Sequence, residues 1–481
     1  MNTNNPLLTD LYQLTMAAAY HASGRAEQEA AFHLFFRTLP FKGGYAIAAG
    51  LGSAVEWLKG FHFAADDIEY LATLRDAENA PLLQPAFLNY LRDLKLTVTI
   101  DAIPEGTVVF PHQPLLRITG PILQCQLLET ALLNIINFQT LIATKAARVC
   151  QAAQGEPVLE MGLRRAQGPD GSLAASRAAH IGGCASTSNV LAGKIFGIPV
   201  KGTHAHSWVM SFETELEAFE QYATALPGNC TFLVDTYDTL EGVRNAVKVG
   251  HKLRETGHRL LGIRLDSGDL AWLSQQARIL LDESGFPDTA IVASNDLDEN
   301  LIESLKHQGA KISIWGVGTK LITGGDQAAL GGVYKLAAVR DAAGNWQPRI
   351  KLSEQVIKVS TPGLQQIRRF SQDGSFLADA IYDAEKPCPE PCEITDPTEN
   401  LRHTTIPAGT PHEDLLQPLF RDGALIASLP TLTESRTRCL AQLAALSPSI
   451  KRLANPHNYP AGLEASLHQK KNHLIQQARP S

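Results

Sequence analysis

The chain lacks most features that would tie it to nucleic acid, membrane or an oxidising compartment. It has no long Lys/Arg run and a formal charge of −7 at pH 7, so nucleic acid is not an expected partner. Its N-terminus, MNTNNPLLTDLYQLT, has no basic stretch followed by an apolar one, so no secretory signal is expected. The most apolar long segment, 122–147, is interrupted by Glu129, Asn134, Asn137, Gln139 and Lys145. That polar content predicts buried helices and no membrane association. The cysteines number seven, scattered and odd, which suits reduced thiols and a cytoplasmic protein. Cys388 and Cys392 (CPEPC) are spaced like half a zinc site, but no second close Cys/His pair accompanies them, so no metal-ligand set is assigned. There is no internal repeat beyond a βα period, and no low-complexity tail.

What is present is a long, ordinary globular composition. At 481 residues, 44% hydrophobic and 19% charged, the chain is too large for one small domain. An acidic balance does not exclude anionic substrates, because local arginines and backbone amides can bind phosphate. Residues 1–130 read as mixed α+β. Thr9 and Asp10 precede the helix-like LYQLTMAAAYHASG, AAFHLFFRTLP alternates like a strand, and TVTIDAIPEGTVVFPHQPLLRITG reads as a small antiparallel β unit.

Residues 131–334 are far more regular. PVLEMGLRR, IPVKGTHAH, CTFLVDTYD, RLLGIRLDSGD, TAIVASNDLD and KISIWGVGT are apolar runs ending in polar or glycine-rich residues, most of them followed by a helix-like segment. Such alternation predicts βαβ units and a parallel sheet, with a barrel-like closed sheet favoured over an open doubly wound one. Turn-rich strands over about 335–430 complete the first domain, and 431–481 is expected to be a helical segment.

In parallel sheets ligands bind at the carboxyl ends of the strands, where this chain gathers its polar residues. They are Arg164 and Arg165, then Thr203, His204 and His206, then Asp235, Arg264, Asp266, Ser267 and Asp269. Asn295, Asp296 and the run Gly316–Thr319 (GVGT) complete the set. GVGT offers unobstructed N–H groups from Gly316 and Gly318 and the Thr319 hydroxyl, as a phosphate cradle would. Arg264 shares a strand face with Asp266, while Asp269 suits a helix N-cap. For the His-x-His pair, spacing alone leaves structural, catalytic and metal-binding roles open, with structural first. Tyr12, on an amphipathic helix, reads by default as a packing residue.

With these residues assembled, the chain resembles the nicotinate phosphoribosyltransferase family. The resemblance is carried by TDLYQLTMAAAY, FFRTLPFKGGYAIAAGL, EMGLRRAQGPDG, GGCASTSNVLAGKIFGIPVKGTHAHSWVMSF, VDTYDTL, GIRLDSGDL, ASNDLDE, WGVGTKL and GGVYKLAAV, and it spans essentially the whole chain. It implies an irregular α/β (TIM-like) barrel with a smaller α+β domain built from both chain ends. It also implies transfer of phosphoribosyl from 5-phosphoribosyl 1-diphosphate (PRPP) to nicotinate, coupled to ATP hydrolysis through a phosphohistidine. Mg²⁺ and a homodimer with shared sites come with it. Residue by residue, the resemblance makes His206 the phosphate acceptor and His204 a bystander. Tyr12 would stack on the pyridine ring across the dimer, with Thr203 and Arg264 contacting nicotinate and Thr319 in the phosphate loop. Looser comparison puts Arg164 at the pyridine and Asp266 at the ribose. Asn295, Gly316 and Gly318 are further expected substrate contacts. Competing readings are a nicotinamide-specific transferase, a metal-dependent barrel hydrolase or aldolase, and a phosphosugar-binding protein without turnover.

Overall fold

The computed structural model describes residues 5–478. They divide into two compact units, one formed by both chain ends (up to Leu141 and from Ala329) and the other by Ile142–Ala328. The boundaries differ from the sequence reading mainly at the C-terminus. Residues 431–481 are not purely helical, since Ala461–Glu464 is a strand inside a sheet of the first unit.

The first unit holds a seven-stranded sheet and a six-stranded sheet. At the centre of the larger one, Glu29–Phe36 pairs antiparallel with both Gly332–Arg340 and Leu116–Pro121. Every residue of that strand after Glu29 is buried, because both faces are covered, so its apolar run is continuous instead of alternating. Thr99–Ala102 pairs antiparallel with Leu116–Pro121, as the β-branched run predicts. In the smaller sheet, Gln365–Gln372 and Ser375–Asp383 form a long antiparallel pair, and Ser375–Asp383 pairs on its other side with Ala461–Glu464.

A buried ion pair fastens this unit. Arg369 and Asp379 are fully buried and meet at 2.6 Å. Two charges taken from water require further partners. Gln113 (2.7 Å) and the Tyr459 hydroxyl (2.8 Å) donate to Asp379, while Arg369 donates to Val108 O (2.8 Å) and Gln442 Oε1 (2.9 Å). One pair thus joins residues more than three hundred positions apart.

The second unit is built on a six-stranded sheet. Its strands, in chain order, are β1 (Val158–Glu160), β2 (Ser186–Thr187), β3 (Thr231–Leu233), β4 (Gly262–Leu265), β5 (Ala290–Ala293) and β6 (Ile314–Val317). All pairings are parallel, in the order β2-β1-β6-β5-β4-β3. The helices α1 (Thr239–Glu255), α2 (Leu270–Glu283) and α3 (Glu299–His307) follow β3, β4 and β5. Each opens on an aspartate, Asp238, Asp269 or Asp298, that accepts the N–H three residues on. The Asp of DSGD that caps a helix is therefore Asp269, leaving Asp266 free of that duty.

Two expectations are corrected here. Among the described residues the ladder ends at β2 and β3, with one further bridge from Thr187 of β2 to Val200, so the paired strands form a half-barrel sheet and not the full ring of strands expected. The IPVKGTHAH run forms no strand and keeps only a bridge between Val200 and Thr187. The sixth strand is instead the unpredicted β2. No helix among the described residues is long and apolar enough to cross a membrane.

Removing one partner of a buried pair strands the other charge, so Asp379→Ala should lower the stability of the first unit by about 3–5 kcal/mol. Urea unfolding followed by circular dichroism measures this, and a loss below about 1 kcal/mol, the worth of an exposed pair, would contradict it.

Candidate active site

Parallel pairing carries the carboxyl ends of β3, β4 and β5 to one edge of the second unit, where Asp235, Asp266, Ser267 and His206 meet. Asp235, two residues beyond β3, has a side chain only 1% exposed. Its Oδ2 accepts the Asp266 N–H at 2.9 Å and the Ser267 hydroxyl at 2.6 Å. These two bonds fold DSGD back over the end of β3. Its Oδ1 is buried without a hydrogen-bond partner. Asp266 is more open, a third of its side chain exposed, and its Oδ1 accepts from the Ser294 hydroxyl.

His206 stands over both carboxylates. It begins a single-turn helix, His206–Val209, and its side chain is 39% exposed. Nε2 lies 3.9 Å from Asp235 Oδ1 and 3.8 Å from Asp266 Oδ2, while Nδ1 lies 3.1 Å from the Thr236 hydroxyl. The imidazole is thus held on one nitrogen and open on the other, as a nucleophile requires. Its close holder is a hydroxyl and not a carboxylate. Sequence reading missed Thr236, although it directly follows Asp235 in VDTYD.

His204 is a different object. It packs among Tyr222, Phe219 and Phe232, with ring centroids 5.1–6.1 Å away. The Leu233 N–H donates to its Nε2 at 3.3 Å, and Nδ1 faces Ala205 O at 3.4 Å. Burial pushes its pKa down to about 4, so the ring is neutral and fully used. Extended alternation would have put both histidines on one side; the turn into the short helix separates them.

Arg264 extends from β4 and donates to the Thr203 hydroxyl. Its Nε is buried without a partner. Burial pushes this guanidinium below its usual pKa, Asp266 and Asp235 oppose that, and Arg164 adds to it. Arg164 is exposed, on a single 3₁₀ turn (Leu163–Arg165) after β1. Beneath that turn lies a residue the sequence reading did not single out, Glu160. It is fully buried, and it accepts from Gly162 N (2.5 Å), Ser176 Oγ (2.8 Å) and Thr187 Oγ1 (2.6 Å), fixing the ends of β1 and β2.

Asn295 and Asp296 follow β5 with φ of 86° and 40°, both left-handed and both exposed. Two such residues in succession are a strained turn of the kind that gathers at functional sites. Within β6, Gly316 is buried, and a Cβ there would lie 2.8 Å from Met161 Sδ. A Cβ on Gly162 would come within 2.9 Å of Gly318 O, so the glycines let the ends of β1 and β6 approach. Gly318 and Thr319 remain half-exposed.

Tyr12 belongs to the other unit. It is half-exposed on the helix Leu11–Ala22, its pKa raised by burial, then by Glu129 and Asp10. Glu129 also acts on Lys335, whose ammonium burial pushes down, Glu129 opposing and Arg37 and Lys351 adding to the lowering. This basic cluster also escaped the sequence reading, because its members are some three hundred residues apart.

The environment of His204 yields a test. The unfolded chain protonates this histidine near 6.5, whereas the folded ring resists until about 4. Its contribution to stability is therefore full above 6.5 and is lost progressively as pH falls toward 4. His204→Phe leaves the Leu233 N–H unpaired and should cost about 1–3 kcal/mol at pH 7.5. It should also flatten the decline between pH 6.5 and 4.5. Urea unfolding at several pH values measures both, and an unchanged slope would count against a neutral, buried His204.

Comparison with known proteins agrees along the whole length. Residues 7–137 match the nicotinate phosphoribosyltransferase (NAPRTase) N-terminal domain, 157–356 the NAPRTase family and 365–471 its C-terminal domain. The nicotinate phosphoribosyltransferase of Bacillus subtilis is 42% identical, covering 98% of this chain and 96% of that protein. The human enzyme is 38% identical, with 98% and 96% covered. The crystal structure of human nicotinic acid phosphoribosyltransferase superposes with a TM-score of 0.84 at 35% identity, over 97% of this chain and 99% of that one. A Pyrococcus furiosus nicotinate-nucleotide pyrophosphorylase, at 22% identity and a TM-score of 0.69, shares the fold, with 91% and 94% covered. The chain belongs to the nicotinate phosphoribosyltransferase family.

Proposed function

We propose that the chain performs the reaction of its family, forming nicotinate mononucleotide and pyrophosphate from nicotinate and PRPP, and that it couples this to ATP hydrolysis through a phosphorylated His206. One observation carries the coupling. His206 Nδ1 is held by Thr236 while Nε2 is left open beside two carboxylates. With the proton kept on Nδ1 and hydrogen-bonded to the Thr236 hydroxyl, the Nε2 lone pair attacks the γ-phosphorus of ATP; an N–P bond forms and the bond to the departing ADP oxygen breaks.

In the transfer step the pyridine nitrogen replaces pyrophosphate at the anomeric carbon. The positive charge that develops there is stabilised by Asp266, with Asp235 behind it. Arg264 and Thr203 suit the nicotinate carboxylate, because the buried Arg264 Nε has a donor to spare. Asn295, Gly316, Gly318 and Thr319 are read as lining the phosphate and ribose subsites, and Arg164 the pyridine subsite.

The orphaned Asp235 Oδ1 and the exposed edge of Asp266 are hard oxygen donors, and they fit a hydrated Mg²⁺ shared with substrate phosphates. When bound, that ion would neutralise the leaving diphosphate. No group of three or more His, Cys, Asp or Glu among the described residues is placed to hold a metal by itself.

We further read the chain as a cytoplasmic homodimer, with the parallel sheet as the core of an irregular α/β barrel. Supporting the dimer, Leu11, Tyr12, Val190, Leu191, Ile195 and Val200 expose apolar surface. The free cysteines suit a reducing compartment.

His206→Ala should abolish labelling from γ-labelled ATP, and Thr236→Val should lower it about tenfold while Thr236→Ser retains it. Full labelling of His206→Ala would refute the acceptor. Assayed with PRPP, nicotinate should be strongly preferred over nicotinamide. Arg264→Ala should raise KM for nicotinate by about 10- to 100-fold, the worth of a charge-assisted contact, and narrow that preference. A preference for nicotinamide in the unmodified enzyme would overturn the assignment of the acceptor.

A further inference from the structure

The CPEPC segment takes no part in the site described above. It closes the connection from Ser375–Asp383 to Cys392–Thr395 in the six-stranded sheet of the first unit. Cys388 and Cys392 pack beneath it among Phe370, Ala378, Ala380 and Tyr382. Their sulfurs lie 3.8 Å apart, in hydrogen-bond contact. Cys392 is fully buried, whereas Cys388 is 7% exposed, with solvent-exposed residues on both sides of it in the chain.

We infer that Cys388 and Cys392 form an oxidisable dithiol, a modification site for peroxides and small disulfides whose product is an internal disulfide bond. The two sulfurs must close from contact to a bond of about 2.05 Å, and the exposed residues flanking Cys388 leave room for that shift. The two thiols have different chemistry. The Cys392 S–H donated to Cys388, together with the Arg368 guanidinium, favours thiolate at Cys388, against burial and the Glu464 and Asp414 carboxylates. The same contact and burial keep Cys392 protonated.

Cys388 is therefore the attacking sulfur. With a peroxide, its thiolate takes one oxygen, the O–O bond breaks, and hydroxide leaves and picks up the Cys388 proton as water. Cys392 then displaces the sulfenic oxygen, which departs as a second water carrying the Cys392 proton. Two thiols and one peroxide give one disulfide and two waters. With a small disulfide, Cys388 displaces one thiol and Cys392 the other, so a single molecule of oxidant is reduced to two thiols. A zinc pair would share this sulfur spacing. Two thiolates do not complete a tetrahedral site, however, and no larger ligand group surrounds them among the described residues.

The experiment uses the full-length protein, reduced and freed of reductant, then exposed while folded to hydrogen peroxide or to glutathione disulfide. Unreacted thiols are alkylated under denaturing conditions and peptides are mapped by mass spectrometry. The expected product is a peptide holding both Cys388 and Cys392, unalkylated, two hydrogens lighter, and restored by dithiothreitol. Cys392→Ser should instead trap Cys388 as a sulfenic acid or a glutathione adduct. Cys388→Ser should leave Cys392 alkylatable. Full alkylation of both thiols after native oxidation would overturn the inference, as would separate adducts on both, or zinc held stoichiometrically and released by mercurial titration. The wild-type mapping decides the matter even if a variant fails to fold.

Discussion

One buried carboxylate organises the chemistry of the second unit. Asp235 is almost wholly withdrawn from water, and a charge so placed must be matched by donors. It takes the backbone N–H of Asp266 and the hydroxyl of Ser267 on one oxygen, which folds the DSGD turn against the end of β3. That turn sets where Asp266 points, and Asp266 with Asp235 sets what faces His206. Its second oxygen is left without a donor and carries the strongest local demand for a cation or a substrate. Neutralising Asp235 would release the turn, so its structural and chemical roles are one.

The two histidines of HAH show how little a spacing says without an environment. Two residues apart, they differ in almost every physical respect. His204 is surrounded by rings, has spent both nitrogens on the backbone, and stays neutral until about pH 4. His206 is open to solvent on its Nε2 side and held on Nδ1 by a hydroxyl. Desolvation makes the first a packing residue. The turn Ala205–His206 takes the second out of the core and over the acidic floor.

Much of the framework was legible from the chain. Five of the six strand-like runs correspond to strands of the parallel sheet, and Asp235, Asp266 and Asp296 follow β3, β4 and β5 at steps of about thirty residues, the length of one βα unit. Asp269 was readable as an N-cap and is one. The failures have physical causes. IPVKGTHAH looks like a strand but makes only one bridge, from Val200 to Thr187, because the β2 it lies beside is only two residues long. A strand of two residues carries no periodicity to detect. The strand Ala461–Glu464 hides among helices for a similar reason: it is short, and only its neighbours Ser375–Asp383 and Cys392–Thr395 make it a strand.

By itself, then, the sequence determined the alternation of strands and helices, the polar residues at strand ends, and, through long ordered motifs, the family. Those follow from local periodicity and from residue types that survive without a neighbour. Tertiary structure decided the rest: the order of the parallel strands, a hydroxyl in place of a carboxylate behind His206, Glu160 beneath the arginine turn, and Arg369 paired with Asp379 in the first unit. Each of these depends on which distant groups are brought within about 3 Å, and burial then fixes their charge, because hydrogen bonds and desolvation act between neighbours in space.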